Sequence, residues 1–387
     1  MKNKPRLVAL DLPGGPEFIE ALIKIWDDGD VALPVDQRLP AAARTALFTR
    51  LRPAVLLQSG GATQALPQAV PMETGDALVV ATSGTTGNPK GVILTHQAVD
   101  ASATITSDAI GATARDRWYA CLPPAHIGGL SVITRAIRKG IPVTAVPTIT
   151  PTGLEAAAAS GHTLVSLVVA ALPRIEAERW RKILLGGSAI PAAIPPNAVR
   201  TYGMTETGSG IVYDGYSLPG VELKITDGQI LVRSPTLARG YRDCAVDAAA
   251  IALPMSDGWF LTGDSGSLGT DGLLRVTGRI GDVIVSGGEK IWPEPVERAL
   301  MDLKVVADVA VTGVPDVAWG QAVVAIVVPA DPSNPPSLDV CRAAVKTSLP
   351  TYCAPTRLAV VRAIPRTNIG KIRRAALPQL FRDNEAG

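Results

Sequence analysis

The chain has 387 residues, with 37 Lys and Arg against 35 Asp and Glu and a formal net charge of +2. Since one hydrophobic core rarely serves more than about 250–300 residues, this length predicts two domains. The balanced charge leaves no broad basic face, which argues against nucleic acid as a partner. An anionic ligand would have to be held by a local site.

The apolar runs are short. The longest, residues 164–172 and 322–328, fall well below the about 20 residues that cross a bilayer, so they predict buried strands and no membrane insertion. Asp11 and two prolines interrupt the N-terminal segment where a signal peptide would need an apolar core. We therefore expect a cytoplasmic protein.

Four cysteines are scattered along the chain, at Cys121, Cys244, Cys341 and Cys353. They show no CxxC spacing and no neighbouring histidines that would complete a zinc site. This pattern predicts reduced thiols in the core.

The first 200 residues alternate between strand-like and helical patterns. Strands are expected near Leu7 and Val31 and over 54–58 and 76–82, with a helix over 18–26. Continued alternation to about Val199 predicts a mostly parallel sheet covered by helices. Beyond Gly220, short runs at 221–225, 229–232 and 273–276, separated by Gly and Asp, predict a small β-rich subdomain.

The pattern restarts after residue 278. A helix opened by prolines over 293–303, strands over 305–311 and 321–328, a helix capped by Ser337 and a strand over 358–361 indicate a separate α+β unit. We therefore predict an α/β and α+β chain with mixed, mostly parallel sheets. Its expected domains are 1–278 and 279–387.

The densest chemical signal follows the strand over 76–82. Glycines admit backbone N–H groups close to oxygens, hydroxyls add donors, and a lysine supplies a point charge, so the loop suits polyphosphate. A solvated turn would need only one or two such residues, and a Walker loop would need Ser or Thr where Gly91 follows the lysine. The candidate phosphate ligands are Thr82, Ser83, Gly84, Thr85, Thr86, Gly87 and Lys90.

With four further motifs in order, this loop resembles the adenylate-forming superfamily of acyl-CoA synthetases, nonribosomal adenylation domains and luciferases. The family's [ST]SG[ST]TGxPKG loop matches residues 82–91, and its YGxTE segment matches 202–206. Its TGD matches 262–264, and Gly278-Arg279 opens the segment that leads into the C-terminal domain. The lysine motif matches PRTNIGK at 365–371, so the resemblance covers nearly the whole chain.

The resemblance implies roles for the nucleotide-binding residues. Glu206 is expected to hold Mg²⁺, because a hard cation prefers carboxylate oxygen. Thr205 is expected at the α-phosphate, and Tyr202 against the adenine. Asp264 is expected to accept hydrogen bonds from both ribose hydroxyls, with Arg279 as a second contact. The alternatives are a solvated Glu, a core aromatic residue and a turn Asp.

Lys371 is the catalytic residue that the resemblance implies for the first half-reaction. Its ammonium group would offset the negative charge that builds up when a carboxylate attacks the α-phosphate. It should be dispensable for thioester formation, because the family rotates a mobile C-terminal domain between the steps. The hinge falls at Gly281, which absorbs large changes of φ and ψ but offers no side chain for a salt bridge.

The acyl-binding residues implied by the resemblance lie in two segments. His126 falls where the family has a His or aromatic residue beside the acyl pocket and the thiol path. Gly186, Gly187 and Ser188 match its glycine-rich acyl and adenine-facing loop. A core histidine and an ordinary strand-end turn are the alternatives; His96 and His162 are expected to be structural.

The predicted activity is an ATP-dependent acid–thiol ligation with ATP, Mg²⁺ and coenzyme A, releasing AMP and pyrophosphate. Residues 122–130, 182–191 and 285–293 are most similar to ligases of an aromatic dicarboxylate, whose second carboxylate would require a cation. Surface salt bridges explain the candidate cations equally well; these are Arg135, Arg138, Lys139 and Arg200. Three alternatives stay open: another acyl- or aryl-CoA ligase, an enzyme loading a carrier protein, and an inactive nucleotide-binding relative. A homodimer is likewise left open.

Overall fold

A computed structural model describes residues 4–83, 89–187, 190, 193–244, 248–366 and 372–384. The chain divides into two compact units, Met1–Leu223 with Val232–Leu261, and Lys224–Leu231 with Thr262–Gly387. The predicted fold class is confirmed by the sheets and helices of both units. The domain boundary between residues 278 and 279 stays a prediction.

The helices begin at residues that favour helix starts. Thr95, Thr150 and Ser337 accept a backbone N–H at the N-caps of three of them. The helices are α1 Pro16–Asp27, α2 Ala41–Leu51, α3 His96–Ala109, α4 Ile127–Lys139, α5 Pro151–Ala159, α6 Pro293–Met301, α7 Leu338–Ser348 and α8 Leu377–Asn384. The sequence analysis did not identify α2, of which only Leu47 and Leu51 are buried.

The strands vary widely in length, from 2 to 11 residues. In chain order they are β1 Leu7–Asp11, β2 Val31–Pro34, β3 Val55–Gln58, β4 Thr63–Ala65, β5 Asp76–Ser83, β6 Pro89–Thr95, β7 Trp118–Ala120, β8 Val143–Ala145, β9 Leu164–Val168, β10 Lys182–Gly186, β11 Ala198–Gly203, β12 Gly210–Tyr213, β13 Tyr216–Ser217, β14 Glu222–Thr226, β15 Gln229–Arg233, β16 Gly240–Asp243, β17 Ala248–Ile251, β18 Met255–Ser256, β19 Trp259–Leu268, β20 Leu274–Arg279, β21 Ile284–Ser286, β22 Glu289–Ile291, β23 Val306–Asp316, β24 Gly320–Pro329 and β25 Arg357–Val360.

Two mixed sheets form the first unit. One has the order β17-β16-β6-β5-β2-β1-β3-β4, with β1, β2, β3 and β5 parallel and β6 antiparallel to β5 and β16. The other has the order β13-β12-β11-β10-β9-β7-β8 and is parallel from β11 to β8. The expected strand over 164–172 is wrong beyond Val168, because residues 169–174, which include Pro173, form a 3₁₀ helix.

A third sheet has the order β14-β15-β19-β18, with β20 on β19, and its antiparallel pairs match the expected β-rich segment. The fourth sheet, β22-β21-β24-β23 with β25 on β24, lies in the second unit. Successive residues of β23 and β24 face opposite sides: Val309 and Val311 belong to the core with α6 and α7, and Ala310 to the core with α8.

The prediction of core thiols is also met. All four cysteines are buried and unpaired. Among the residues that the structure describes, no helix has the length and apolar character needed to span a bilayer.

Candidate active site

The predicted phosphate loop joins two neighbouring strands. Thr82 lies opposite Lys90 in the antiparallel pair of β5 and β6, and its hydroxyl donates to the Lys90 carbonyl at 3.4 Å. The two ends of the loop are therefore neighbours in the sheet. Gly84, Thr85, Thr86, Gly87 and the Ser83 side chain lie outside the described residues.

Lys90 and Glu206 both lie next to the side chain of Tyr241. The Lys90 Nζ lies 5.6 Å from the centre of the Tyr241 ring, and the Tyr241 hydroxyl donates to Glu206 Oε1 at 3.1 Å. Strand order explains the arrangement, because β16 pairs with β6 and sets Tyr241 opposite Val92. Sequence reasoning missed Tyr241, since no spacing distinguishes it from other aromatic residues.

A short turn after β11 presents Thr205 and Glu206. It is the 3₁₀ helix Thr205–Thr207, held by a hydrogen bond from Met204 N to Thr207 Oγ1 at 2.9 Å. Thr207 is buried, whereas Thr205 and Glu206 are half-buried.

Glycines form the carboxyl ends of the parallel strands β10 and β11. A Cβ at Gly186 would lie 2.7 Å from Thr201 Oγ1, and one at Gly203 would lie 2.1 Å from the Ser209 carbonyl oxygen. Gly187 has φ +86°, a conformation that other residues adopt only with strain. Gly186, Gly187 and Tyr202 therefore share the strand-end edge where open α/β sheets bind ligands. Ser188 lies outside the described residues.

His126 precedes α4 and contacts two charged residues that the sequence analysis did not identify. Its Nε2 lies 3.2 Å from Asp36 Oδ2 and 3.2 Å from Arg38 Nη2. Burial opposes the Asp36 charge, but hydrogen bonds from His126 and Arg38 outweigh it and hold the pKa of Asp36 well below its usual range. The cluster is thus anchored by an ionised carboxylate.

The other two histidines have structural contacts, as expected. The His162 ring nitrogens bond Ala157 O at 3.0 Å and Thr144 Oγ1 at 2.9 Å. His96 contacts Arg138, and burial together with that positive charge lowers the pKa of His96.

The four candidate cations differ sharply in their surroundings. Arg138 pairs with Asp100 at 2.9 Å, and Arg200 lies 3.8 Å from Asp214. The Arg135 side chain, in contrast, is 2% exposed and lies with its guanidinium carbon 5.2 Å from the centre of the Trp118 ring. Neither its Nε nor its Nη1 has a hydrogen-bond partner in the described parts of the chain.

Burial lowers the pKa of the Arg135 guanidinium from its ordinary high value. An unpaired buried charge is costly, and a positively charged group in such a place is suited to receive an anion. Among the four cations, Arg135 therefore has the features of a ligand-binding residue.

Asp264 and Arg279 meet in the second unit. They lie opposite each other in the antiparallel pair of β19 and β20, and Arg279 Nε is 2.9 Å from Asp264 Oδ1. Arg279 also donates to the Thr262 carbonyl at 3.0 Å, and the Asp264 N–H donates to Thr262 Oγ1 at 3.0 Å. The TGD segment and the arginine thus form one polar cluster.

The hinge position and the lysine motif are also in the second unit. Gly281 is in the 3₁₀ helix Ile280–Asp282, and a Cβ added there would meet nothing within 4 Å. Lys371 lies outside the described residues, but its flanks are paired: Arg366 forms an isolated antiparallel bridge with Ile372.

The described donors suit a nucleotide with magnesium. No group of three or more His, Cys, Asp and Glu residues that could hold a metal occurs in the described ranges. Mg²⁺ bound to phosphates needs only one or two protein carboxylates, because it keeps several waters, and the half-buried Glu206 offers one.

Comparison with known proteins identifies the family of this chain. A family model described as AMP-binding enzyme matches residues 62–242, and one described as AMP-binding enzyme C-terminal domain matches residues 295–371. The chain therefore belongs to the AMP-binding enzyme family, and the prediction of an adenylate-forming enzyme is confirmed.

Within the family, proteins similar to this chain include CoA ligases. The chain is 39% identical over 383 residues to a probable 2-succinylbenzoate–CoA ligase of Mycobacterium tuberculosis, covering 89% of this chain and 97% of the relative. An o-succinylbenzoate CoA synthetase from Bacillus subtilis, solved with its acyl-adenylate intermediate, is 27% identical with a TM-score of 0.84, covering 97% of this chain and 88% of that one.

A second structure of the Bacillus subtilis synthetase contains ATP and a magnesium ion. It is 27% identical with a TM-score of 0.84, covering 97% of this chain and 90% of that one. The predicted ATP and Mg²⁺ therefore match what is bound in a relative of the same fold.

Proposed function

We propose that this chain is a 2-succinylbenzoate–CoA ligase. One substrate carboxylate attacks the α-phosphorus of ATP and pyrophosphate leaves; the CoA thiolate then attacks the acyl carbon of the adenylate and AMP leaves. The names of the relatives support this substrate. The resemblance assigns the reaction to menaquinone biosynthesis.

The observation that carries the substrate assignment is the buried guanidinium of Arg135, two of whose nitrogens have no hydrogen-bond partner among the described residues. 2-Succinylbenzoate has two carboxylates, and only one is consumed in the adenylate. We propose that Arg135 binds the other, because a carboxylate is the acceptor that a buried guanidinium with donors lacking partners would favour. His126 and the glycines at 186–187 then border the acyl group.

The nucleotide residues carry the first step. Lys90 and the hydroxyl-rich loop bind the phosphates, and Tyr202 orients the adenine. Thr205 contacts the α-phosphate, while Asp264 and Arg279 hold the ribose. Bound at Glu206, Mg²⁺ would neutralise phosphate charge, and Tyr241 fixes the orientation of that carboxylate through its hydroxyl.

Lys371 supplies the charge that adenylation requires. We propose that residues 279–387 move as a domain about Gly281 and bring this lysine to the α-phosphate for the first step only. The bridge between Arg366 and Ile372 supports the loop at its base. A cytoplasmic location agrees with the use of ATP and CoA, and a homodimer stays a prediction.

ATP–pyrophosphate exchange with a panel of acids tests the proposal, followed by a CoA-thioester assay. We expect exchange with 2-succinylbenzoate and transfer to CoA. Exchange with another acid would point to another acyl- or aryl-CoA ligase, and transfer only to a carrier protein would point to a loading enzyme. ATP binding without exchange on any acid would refute catalysis and indicate an inactive relative.

A further inference from the structure

Arg374 is the centre of an ion network in the second unit. Its Nε lies 3.0 Å from Asp282 Oδ2, its Nη2 lies 3.1 Å from Glu294 Oε1, and its Nη1 lies 2.9 Å from Glu297 Oε1. It also donates to the Val311 carbonyl at 3.1 Å. One guanidinium therefore joins a turn, the helix α6 and the strand β23.

The network connects two places that the proposed mechanism requires to act together. Asp282 directly follows the proposed hinge, Gly281. Arg374 comes three residues after Lys371 and two after Ile372, where the loop rejoins the structure. The contact between Asp282 and Arg374 is thus a direct link from the hinge to the base of the lysine loop.

The charges in the network give its members different roles. Burial lowers the pKa of Arg374, but the three carboxylates raise it more, so the guanidinium stays charged. Burial raises the pKa of Glu294, whose Oε2 is buried without a hydrogen-bond partner among the described residues. Asp282 is the most exposed of the carboxylates, at 30%. Losing its charge should therefore cost the fold little.

We infer that Asp282 is a positioning residue for adenylation, supplying beside the hinge the ion pair that glycine cannot make. This inference rests on the proposed function, in which the domain turns about Gly281 and carries Lys371. The pair holds the residue after the hinge to the loop base, so that rotation is confined to Gly281 and the lysine arrives in one position.

Asp282→Asn tests the inference, because it removes the charge and keeps the shape. We expect kcat for ATP–pyrophosphate exchange to fall about tenfold to a hundredfold, since a displacement of about 1 Å can have that effect. The KM for ATP should stay near wild type. Conversion of supplied acyl-adenylate to thioester, which does not need Lys371, should be unchanged, and so should the melting temperature.

Asp308→Asn is the matched control. Asp308 is 29% exposed and pairs with Arg366 at 2.6 Å, so this ion pair joins the other side of the same bridge to β23 and not to Asp282. We expect exchange close to wild type in this variant. Asp282→Glu, which keeps a carboxylate within reach of Arg374, should recover most of the exchange rate.

Four results would overturn the inference. Unchanged exchange in Asp282→Asn would refute it and leave the proposed function intact. Equal loss of both half-reactions with a lower melting temperature would show that Asp282 is merely structural. An equal defect in Asp308→Asn would show that the loss of exchange does not depend on an ion pair beside the hinge. Wild-type protein without exchange on any acid would overturn the proposed function itself, and this inference with it.

Discussion

Replacing Arg135 by methionine should stabilise the protein and at the same time lower its activity. Within the described parts of the chain, two nitrogens of the buried guanidinium lack hydrogen-bond partners, and desolvation costs several kcal/mol per ion. The cation–π contact with Trp118 offsets this cost by up to about 2 kcal/mol. Methionine is flexible enough to fill the space, so we expect about 1–3 kcal/mol of added stability. At about 2–4 °C per kcal/mol, thermal unfolding would show the change.

The same substitution should weaken recognition of the dicarboxylate. Breaking a buried charge pair costs about 2–5 kcal/mol, which corresponds to about 30- to 5,000-fold in kcat/KM for 2-succinylbenzoate. The assay is ATP–pyrophosphate exchange with 2-succinylbenzoate and two analogues that each lack one carboxylate, 4-oxo-4-phenylbutanoate and 2-butanoylbenzoate. The analogue that keeps the reacting carboxylate should be a poor substrate, equally poor for wild type and variant.

Arg242→Met is the matched control. Arg242 is 1% exposed, as buried as Arg135, but it donates to the carbonyls of Leu51 and Val70, each at 2.6 Å. Removing these donors leaves carbonyls unsatisfied, so we expect a loss of about 3–5 kcal/mol of stability. The two buried arginines should thus shift the melting temperature in opposite directions.

The reasoning is refuted by either of two results. If Arg135→Met lowers the melting temperature as much as Arg242→Met, Arg135 is a structural residue whose guanidinium donors have hydrogen-bond partners in solution. If the variant loses activity equally on the dicarboxylate and on the reacting analogue, Arg135 does not bind the second carboxylate.

Further substitutions probe the other proposed residues. Lys371→Ala should reduce adenylation by about a hundredfold to a thousandfold and leave thioester formation from supplied acyl-adenylate intact; equal loss of both steps would contradict its role. Asp264→Asn loses a charged acceptor for the ribose, so the KM for ATP should rise about 10- to 150-fold with the KM for the acid unchanged, as measured by exchange kinetics. Asp36, whose pKa is lowered in the fold, stabilises it above the ordinary Asp pKa of about 3.9, and this contribution is lost as the pH falls toward the lower folded value. The stability lost in Asp36→Asn, followed by denaturant unfolding, should therefore be largest at neutral pH and shrink below about pH 4; a constant difference would contradict the ion contacts.

The local motifs were predictable because each is a short run of residues with its own chemistry. The phosphate loop follows a buried strand as expected, and the predicted Ser337 cap begins α7. Apolar runs predict where strands lie but not always where they end: the apolar run at 164–172 continues past the end of its strand into the 3₁₀ helix over 169–174. Helix α2 was missed because its burial rests on two leucines, too few for a clear helical period.

The sequence by itself determined the family and the fold class and supplied the candidate nucleotide-binding residues, since these depend on composition and order along the chain. Only the tertiary structure decided which side chains meet. Strand order brings Tyr241 between Lys90 and Glu206, and chain folding brings Asp36 to His126, 90 residues away. Arg242 and Arg135 are equally buried, but Arg242 donates to nearby carbonyls, whereas two nitrogens of Arg135 lack partners among the described residues. Strand register and packing set these partners, and no local sequence pattern encodes them.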